Sequence, residues 1–172
     1  MSEDAIPLLK VGAAPLGRRA FIGGSDARVI MGADEAALLR LWREKRGEIE
    51  PEDLSDNLIV QLGFATEAFN RHWYERNTGL TVTCVQHRLW HPVLRWMAAT
   101  IDGLVQDTGA VFEAKFMLPW SFSEEAAAEK HMAQLQHNLW VTNSRLAALS
   151  SPEAASGSRS RFQPIRSTST SC

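Results

Sequence analysis

Apolar side chains recur at helical spacing along two stretches in the first half of the chain. Leu38, Leu41 and Trp42 predict a helix over residues 34–46, and a longer stripe predicts a second helix over residues 56–78. A glycine directly follows each range, as is typical of a helix C-cap. We expect the longer stripe to face the core, and its members are Leu58, Leu62, Ala65, Phe69 and Trp73.

One further helix is predicted before these two, and another after them. A short one opens within "FIGGSDARVIMG", where Ser25 or Asp26 can cap it, and stops near Gly32. The alanine-rich residues 123–149 predict the last helix, with a serine at its first position as N-cap. His131 and His137 lie six positions apart on this helix, so they are expected on different faces and at the surface.

Alternating apolar residues between these helices predict three strands. They cover residues 80–90, 97–106 and 110–116, and the sequence Asp107-Thr108-Gly109 supplies the turn between the last two. A meander of antiparallel strands is therefore expected. The mixture of helices and strands predicts the α+β class.

The last two strands carry three charges in otherwise apolar surroundings. Side chains alternate faces along a strand, so Glu113 and Lys115 share a face. A two- or four-residue loop around Thr108-Gly109 places Asp102 opposite Lys115 and Leu104 opposite Glu113, which brings the charges together. The side chains expected to face the core instead are those of Ile101, Val105, Phe112, Ala114 and Phe116.

Two interpretations of this charged face remain open at this level. In the first, the hairpin is an ordinary amphipathic one whose polar face meets water, with a weak surface ion pair between Asp102 and Lys115. In the second, two carboxylates beside one lysine form a site for metal-assisted phosphodiester hydrolysis. Carboxylate oxygens bind Mg²⁺, and a lysine can orient or deprotonate the attacking water.

Charge and cysteine content narrow the functional classes. The 172 residues carry 18 Lys plus Arg against 20 Asp plus Glu, so the net charge of -2 gives no overall attraction to nucleic acid or anionic lipid. Cys84 and Cys172 are too far apart for a disulfide framework, a cysteine zinc site or an iron-sulfur cluster. The N-terminus lacks the order of a signal peptide and no long apolar run is present, which predicts a cytoplasmic protein without a membrane partner.

Composition also divides the chain. With 45% hydrophobic residues the chain is long enough for one domain, which we place over residues 1–149. Residues 150–172 are rich in Ser, Arg and Pro with little to bury, so they are predicted to form a disordered tail.

Six segments together resemble a known family. The spacing of "IDG" and "EAK" is similar to the D…(E)xK core of the restriction-endonuclease-like superfamily. In order and spacing, "FIGGSDARVIMG", "LWREKRG", "GFATEAFNRHWYERNTG", "IDGLV", "FEAK" and "MAQLQHNLWV" resemble the YqaJ-like viral recombinases, the family of bacteriophage lambda exonuclease. The resemblance covers about residues 17 to 145 and implies a mixed central β-sheet flanked by helices.

The resemblance also implies roles for individual residues. Asp102 and Glu113 match the metal ligands, the carbonyl of Ala114 contributes a further oxygen, and Lys115 matches the catalytic lysine. The additional helical acid and the active-site glutamine of the family match the residues Glu67 and Gln134, with Gln136 as a second candidate for the glutamine.

A separate pair matches the family's grip on the 5′-terminal phosphate. Arg18 and Ser25 have the required spacing of seven, and Arg19 is an alternative to Arg18. The turn before Ser25 offers free backbone N–H groups to an anion. The alternative interpretation of this segment is a plain capped turn without a ligand.

The function implied by this resemblance is a Mg²⁺-dependent 5′→3′ exonuclease on linear double-stranded DNA in phage-type recombination, with Mn²⁺ as a substitute metal. Its implied partners are DNA ends, a single-strand annealing protein and two further copies in a ring-shaped homotrimer. Because only the tail follows Leu149, we expect the C-terminal strand and helix of the family to be missing and the trimer to be weakened. The alternative is a catalytically inactive or truncated protein that binds DNA ends or a partner.

Overall fold

The computed structural model describes residues 17–115, 124–150 and 164–166. A short 3₁₀ turn covers Arg18–Ala20. The helices and strands in chain order are α1 Gly24–Ile30, α2 Glu35–Arg46, α3 Leu58–Thr78, β1 Val82–Thr83, β2 Arg88–Trp90, β3 Ala98–Thr100, β4 Gly103–Val105, β5 Val111–Ala114, α4 Glu124–Thr142, β6 Leu146–Ser150 and β7 Pro164–Arg166.

Five of the strands form one mixed sheet in the order β1-β4-β5-β6-β7, and β2 pairs with β3 in a separate antiparallel hairpin. Within the sheet only the central pair β5–β6 is parallel. Parallel neighbours need a crossover connection, and α4 lies between them in the chain. The predicted α+β class with a mixed sheet is confirmed.

Two of the predicted strands are split. A turn with positive φ at Cys84 and Gln86 divides residues 80–90 into β1 and β2. A bend at Asp102 divides residues 97–106 into β3 and β4. Non-glycine residues adopt positive φ only when their surroundings hold them there, and local sequence patterns do not reveal such surroundings.

The β4–β5 hairpin differs from its prediction by two positions. Gly103 pairs with Phe112 and Leu104 with Val111, and the loop runs from Gln106 to Gly109, whose φ is 64°. The expected pairing of Leu104 with Glu113 is therefore wrong. Because the shift equals the period of a strand, it leaves the side chains of β4 and β5 on the faces where they were expected.

Each face of the sheet is covered by a helix. On one face Leu135 and Leu139 of α4 pack against Val111 and Ile101, and on the other Tyr74 of α3 packs against Phe112. Val105 and Ala114 lie with Phe112, as predicted, but Ile101 lies on the α4 side because the bend at the next residue interrupts the alternation. Phe116 lies outside the described residues.

The predicted core face of α3 is wrong. Leu58 is 69% and Phe69 56% exposed, whereas the buried positions of the helix are Asn70 and Tyr74. Asn70 faces the ends of β5 and β6, since its amide approaches the carbonyl of Lys115 at 3.4 Å and its oxygen accepts from the Ser150 hydroxyl at 3.4 Å. The side of α3 that meets the sheet is thus partly polar, which the apolar stripe did not indicate.

Helix α2 lies largely at the surface. Trp42 is 51% exposed, and the guanidinium of Arg46 lies 4.5 Å from its ring centroid. Asp34 caps the helix through the Ala37 N–H, and Gly47 ends it with φ 75°. The predicted bounds of this helix agree with the structure.

The chain beyond Thr142 also departs from its prediction. Asn143, with φ 55°, follows α4, and β6 occupies residues that were expected to continue the helix. β7 then pairs antiparallel with β6, so the prediction of a disordered tail is wrong for Pro164–Arg166. Strands therefore do follow the last helix, so the expectation that only a tail follows Leu149 is wrong. The proposed N-cap Ser123 lies outside the described residues.

No helix within the described ranges has the length and apolar content to span a membrane.

Candidate functional site

The three charges of the hairpin converge at the end of β5. Asp102 lies in the bend before β4 and accepts a hydrogen bond from the Ala114 N–H at 2.8 Å through Oδ2. The ammonium of Lys115 lies 2.5 Å from Oε1 of Glu113. Glu113 is 2% exposed, because the face that it shares with Val111 is covered by α4. The interpretation of the hairpin as an amphipathic surface with a water-facing polar side is therefore wrong.

Helix α4 supplies two amides to the same buried carboxylate. Gln134 donates to Oε1 of Glu113 at 2.6 Å, and Asn138 donates to Oε2 at 3.1 Å. The alternative candidate Gln136 instead approaches the sulfur of Met132 at 3.6 Å. Asn138 was not predicted, although its position four residues after Gln134 places both on one helix face and could have indicated it.

Glu67 on α3 reaches this group of residues through a second residue that was not predicted. Nε2 of Gln86 lies 2.7 Å from Oε1 of Glu67 and 3.4 Å from Oδ1 of Asp102. Gln86 has φ 54°, and its turn carries the amide to the two acids. Glu67 therefore faces the hairpin.

The electrostatics of the site favour a cation beside Asp102. Loss of hydration on burial raises the pKa of Asp102 to about 8, and the neighbouring charges of Glu113 and Glu67 add to this effect. The ammonium of Lys115 and the Ala114 N–H act in the opposite direction. One lysine therefore only partly offsets three neighbouring carboxylates.

The donor chemistry fits a hard divalent ion. Mg²⁺ in proteins commonly takes one or two carboxylates and keeps several waters. Asp102 and Glu113 supply two such carboxylates, while no set of three or more His, Cys, Asp or Glu side chains in the described ranges forms a metal cluster. The site thus resembles an open two-carboxylate site rather than a closed cage.

The residues proposed to hold a phosphate lie on α1 and the turn before it. Nη2 of Arg18 lies 3.2 Å from the hydroxyl of Ser25 and 3.4 Å from Oδ1 of Asp26. Arg19, the alternative, instead pairs with Glu50 at 2.6 Å. The helix starts after Gly23 rather than at Ser25 or Asp26, and the carboxylate of Asp26 accepts the Gly23 N–H at 2.8 Å.

Lys45 of α2 organises this turn and was not predicted. Its ammonium donates to the carbonyl oxygens of Arg18 and Phe21 at 2.9 and 2.7 Å and to Asp26 Oδ2 at 2.6 Å. The three N–H donors of the ammonium are thus matched by three acceptors, and one of these is the Asp26 carboxylate, which is 2% exposed. The backbone that presents Arg18 is therefore fixed from α2.

Gly24 brings α1 against the acidic site. A Cβ built on Gly24 would lie 2.5 Å from Oδ1 of Asn138 and 3.0 Å from Cγ of Gln134. Only glycine permits this approach. The helix that carries Ser25 thus rests directly on the two amides that hold Glu113.

The two histidines of α4 are buried, which corrects the expectation that they lie at the surface. His131 is 5% and His137 7% exposed, and Nε2 of His137 lies 2.9 Å from the carbonyl oxygen of Ala98. The two histidines point in directions that differ by about a third of a turn around α4. Both directions are covered, because α1 packs on one side of α4 and strands pack on another.

A sequence profile of the YqaJ-like viral recombinase domain matches residues 16–145. The chain belongs to this family. The YqaJ-like domain covers α1 to α4 and contains every candidate site residue. The uncharacterized protein YqaJ of Bacillus subtilis (strain 168) is 29% identical over 128 residues, which are 72% of this chain and 40% of that protein. The chain thus spans about two fifths of that relative.

Solved structures show the same fold. The alkaline exonuclease LHK-Exo from Laribacter hongkongensis has a TM-score of 0.64 at 22% identity, over 78% of this YqaJ-like chain and 70% of its own. Its complex with dAMP has a TM-score of 0.63 over 86% and 76% of the two chains. A phage related exonuclease from Haemophilus somnus 129PT has a TM-score of 0.60 at 16% identity, over 76% and 67%. The fold is therefore restriction-endonuclease-like.

Proposed function

We propose that this chain is a Mg²⁺-dependent deoxyribonuclease that degrades one strand of linear double-stranded DNA from its 5′ end in phage-type recombination. The observation that supports the proposal most directly is the convergence of Asp102, Glu113 and Lys115 at the end of β5. The exonuclease names of the structural neighbours support the reaction class.

Asp102 and Glu113 are the proposed holders of Mg²⁺, together with the carbonyl of Ala114. Bound there, Mg²⁺ would polarise the phosphoryl oxygen and stabilise charge on the leaving oxygen, and Mn²⁺ can replace it. Lys115 donates hydrogen bonds that orient the attacking water. Gln134 holds Glu113 in place through its 2.6 Å hydrogen bond.

Glu67 acts on the same site from α3. Its carboxylate is joined to Gln86, which also approaches Asp102. In the proposed reaction Glu67 adds a negative charge that favours the cation and accepts a hydrogen bond that fixes Gln86.

Arg18 and Ser25 are the proposed grip on the 5′-terminal phosphate. A guanidinium that is 45% exposed and lies within hydrogen-bond distance of a hydroxyl offers a two-point contact to an anion. Since Gly24 rests on Gln134, this grip adjoins the acidic site, which suits removal of residues from a 5′ end.

The proposed partners are duplex DNA ends, a single-strand annealing protein and two further copies of the chain. A weakened homotrimer stays a prediction, although β6 and β7 follow α4 in the sheet. Light scattering of the purified chain measures its oligomeric state. A monodisperse trimer would contradict a weakened assembly, and a monomer would support it.

The test uses 5′-labelled linear duplex, a circular duplex of the same sequence, and the full chain with Mg²⁺ or with a chelator. We expect nucleotide release from the linear duplex only, and only with Mg²⁺. Asp102→Asn should abolish release, whereas Asp56→Asn, at an exposed position, should leave it unchanged. Binding of DNA ends without any release would contradict the proposal and favour an inactive end-binding protein.

A further inference from the structure

We propose that Asn138 is a positioning residue that holds one oxygen of Glu113 ready for the divalent ion. The inference rests on the proposed function, because it assumes that Glu113 receives a cation. It deepens that function by identifying the side chain that orients this oxygen.

The two oxygens of the Glu113 carboxylate have different surroundings. Oε1 receives both the ammonium of Lys115 at 2.5 Å and the amide of Gln134 at 2.6 Å. Among the described residues, Oε2 receives only the Asn138 amide, at 3.1 Å. A carboxylate oxygen accepts about two hydrogen bonds, so Oε2 is the oxygen that keeps a lone pair for a cation.

Burial makes Asn138 the group that sets the direction of this lone pair. Asn138 is 1% and Glu113 2% exposed. Rotation of the carboxylate would break the contacts at Oε1 and Oε2 together. The amide nitrogen, rather than its oxygen, faces Glu113 because an ionised carboxylate only accepts hydrogen bonds.

The other end of the Asn138 side chain shows a feature that packing alone does not explain. Its oxygen Oδ1 is buried and has no hydrogen-bond partner among the described residues. It faces Gly24, where even a methyl group would lie within 2.5 Å. Buried amide oxygens are nearly always paired, so an unpaired one points to a demand on the nitrogen end.

Gly24 and Glu113 therefore fix the Asn138 amide from two sides. The backbone of α1 prevents the amide from turning away from Glu113, and Glu113 prevents it from turning toward another acceptor. The same side chain thus links the helix of the proposed phosphate grip with the proposed cation site.

The experiment measures Mg²⁺ and Mn²⁺ binding by calorimetry on the full chain, without DNA. Asn138→Leu keeps the size of the side chain and removes its donor. We expect the affinity for the cation to fall by about 10- to 100-fold, as is typical when a partner of a metal ligand is removed. The matched control Asn77→Leu removes an exposed asparagine that bonds within α3, and its affinity should equal that of the wild type.

A kinetic readout separates positioning from general damage. In nuclease assays Asn138→Leu should raise the Mg²⁺ concentration needed for half-maximal rate, while saturating Mg²⁺ should restore most of the maximal rate. A residue needed only for packing would lower the maximal rate or the folded fraction without this shift.

Asn138→Ser provides a second variant if the leucine side chain prevents folding. Its hydroxyl is too short to keep the direct bond to Oε2, so a loss of affinity in the same direction is expected. Circular dichroism verifies the fold of each variant. If neither variant folds, Asn138 is a packing residue and the inference is overturned.

The remaining outcomes distinguish the two proposals. If wild-type protein binds and cleaves while folded Asn138→Leu binds the cation equally well, only the inference about Asn138 fails. If the wild type binds neither Mg²⁺ nor Mn²⁺, the proposed function and the inference both fail.

Discussion

Lys115 directs its ammonium at Oε1 of Glu113 across 2.5 Å, although Glu113 lies beneath α4 and Lys115 directly after the strand. The pair gives a first prediction. Lys115→Met should reduce nucleotide release by about 100-fold or more, because it removes a group that positions the reacting water. Lys115→Arg, which keeps the charge, should retain more activity. Rates at saturating Mg²⁺ measure both, and a fully active Lys115→Met would contradict the role.

The second prediction concerns the 5′ end. Duplex with a 5′-phosphate should be degraded faster than duplex with a 5′-hydroxyl, and Arg18→Ala should remove this difference. Arg19→Ala is the matched control, because Arg19 pairs with Glu50 rather than approaching Ser25, and it should preserve the preference. Equal rates on both ends with the wild-type chain would refute the phosphate grip.

The third prediction uses the raised pKa of Asp102, about 8 in the folded chain. In the unfolded chain an aspartate titrates near pH 4. Between these values the folded state binds a proton that the unfolded state has lost, so the contribution of Asp102 to stability falls as pH rises from about 4 to about 8.

Asp102→Asn should therefore raise the melting temperature of the protein in chelator. The gain should grow with pH across this window and level off above it. Asp56→Asn, at an exposed site, should show no such trend. A melting temperature of Asp102→Asn below that of the wild type at pH 8 would show that the ionised carboxylate stabilises the metal-free fold.

The fourth prediction compares two glycines in helices. Gly24→Ala adds a methyl that would meet Asn138 and Gln134, so it should destabilise the fold by about 1–3 kcal/mol and weaken cation binding. Gly63→Ala, in α3, meets nothing within 4 Å and should stabilise by about 0.4–1 kcal/mol. Chemical unfolding measures both, and equal effects would contradict the close approach of α1.

The part of the site that the sequence predicted is its local part. Alternation along a strand was sufficient to bring Asp102, Glu113 and Lys115 together, and the error of two positions in the register left the side chains of β4 and β5 on their predicted faces. The family resemblance added Glu67 and Gln134, which the structure places beside the same acids.

The residues that were missed depend on contacts between distant elements. Gln86 reaches the acids from a turn with positive φ, which no composition rule predicts for glutamine. The role of Lys45 depends on the packing of α2 against the turn of Arg18. The role of Asn138 depends on the packing of α1 against α4. The prediction of the core face of α3 was wrong because the helix meets the polar ends of β5 and β6, where apolar periodicity does not identify the buried residues.

The contact between Gly24 and Asn138 also orders events during synthesis. Proteins emerge from the ribosome N-terminus first, and 113 positions lie between these two residues. The turn of Arg18 can close on Lys45 early, because the two residues are 27 positions apart in the chain. The surface on which α1 packs forms only after α4 has emerged, so α1 lacks this contact until residues through Asn138 have been translated.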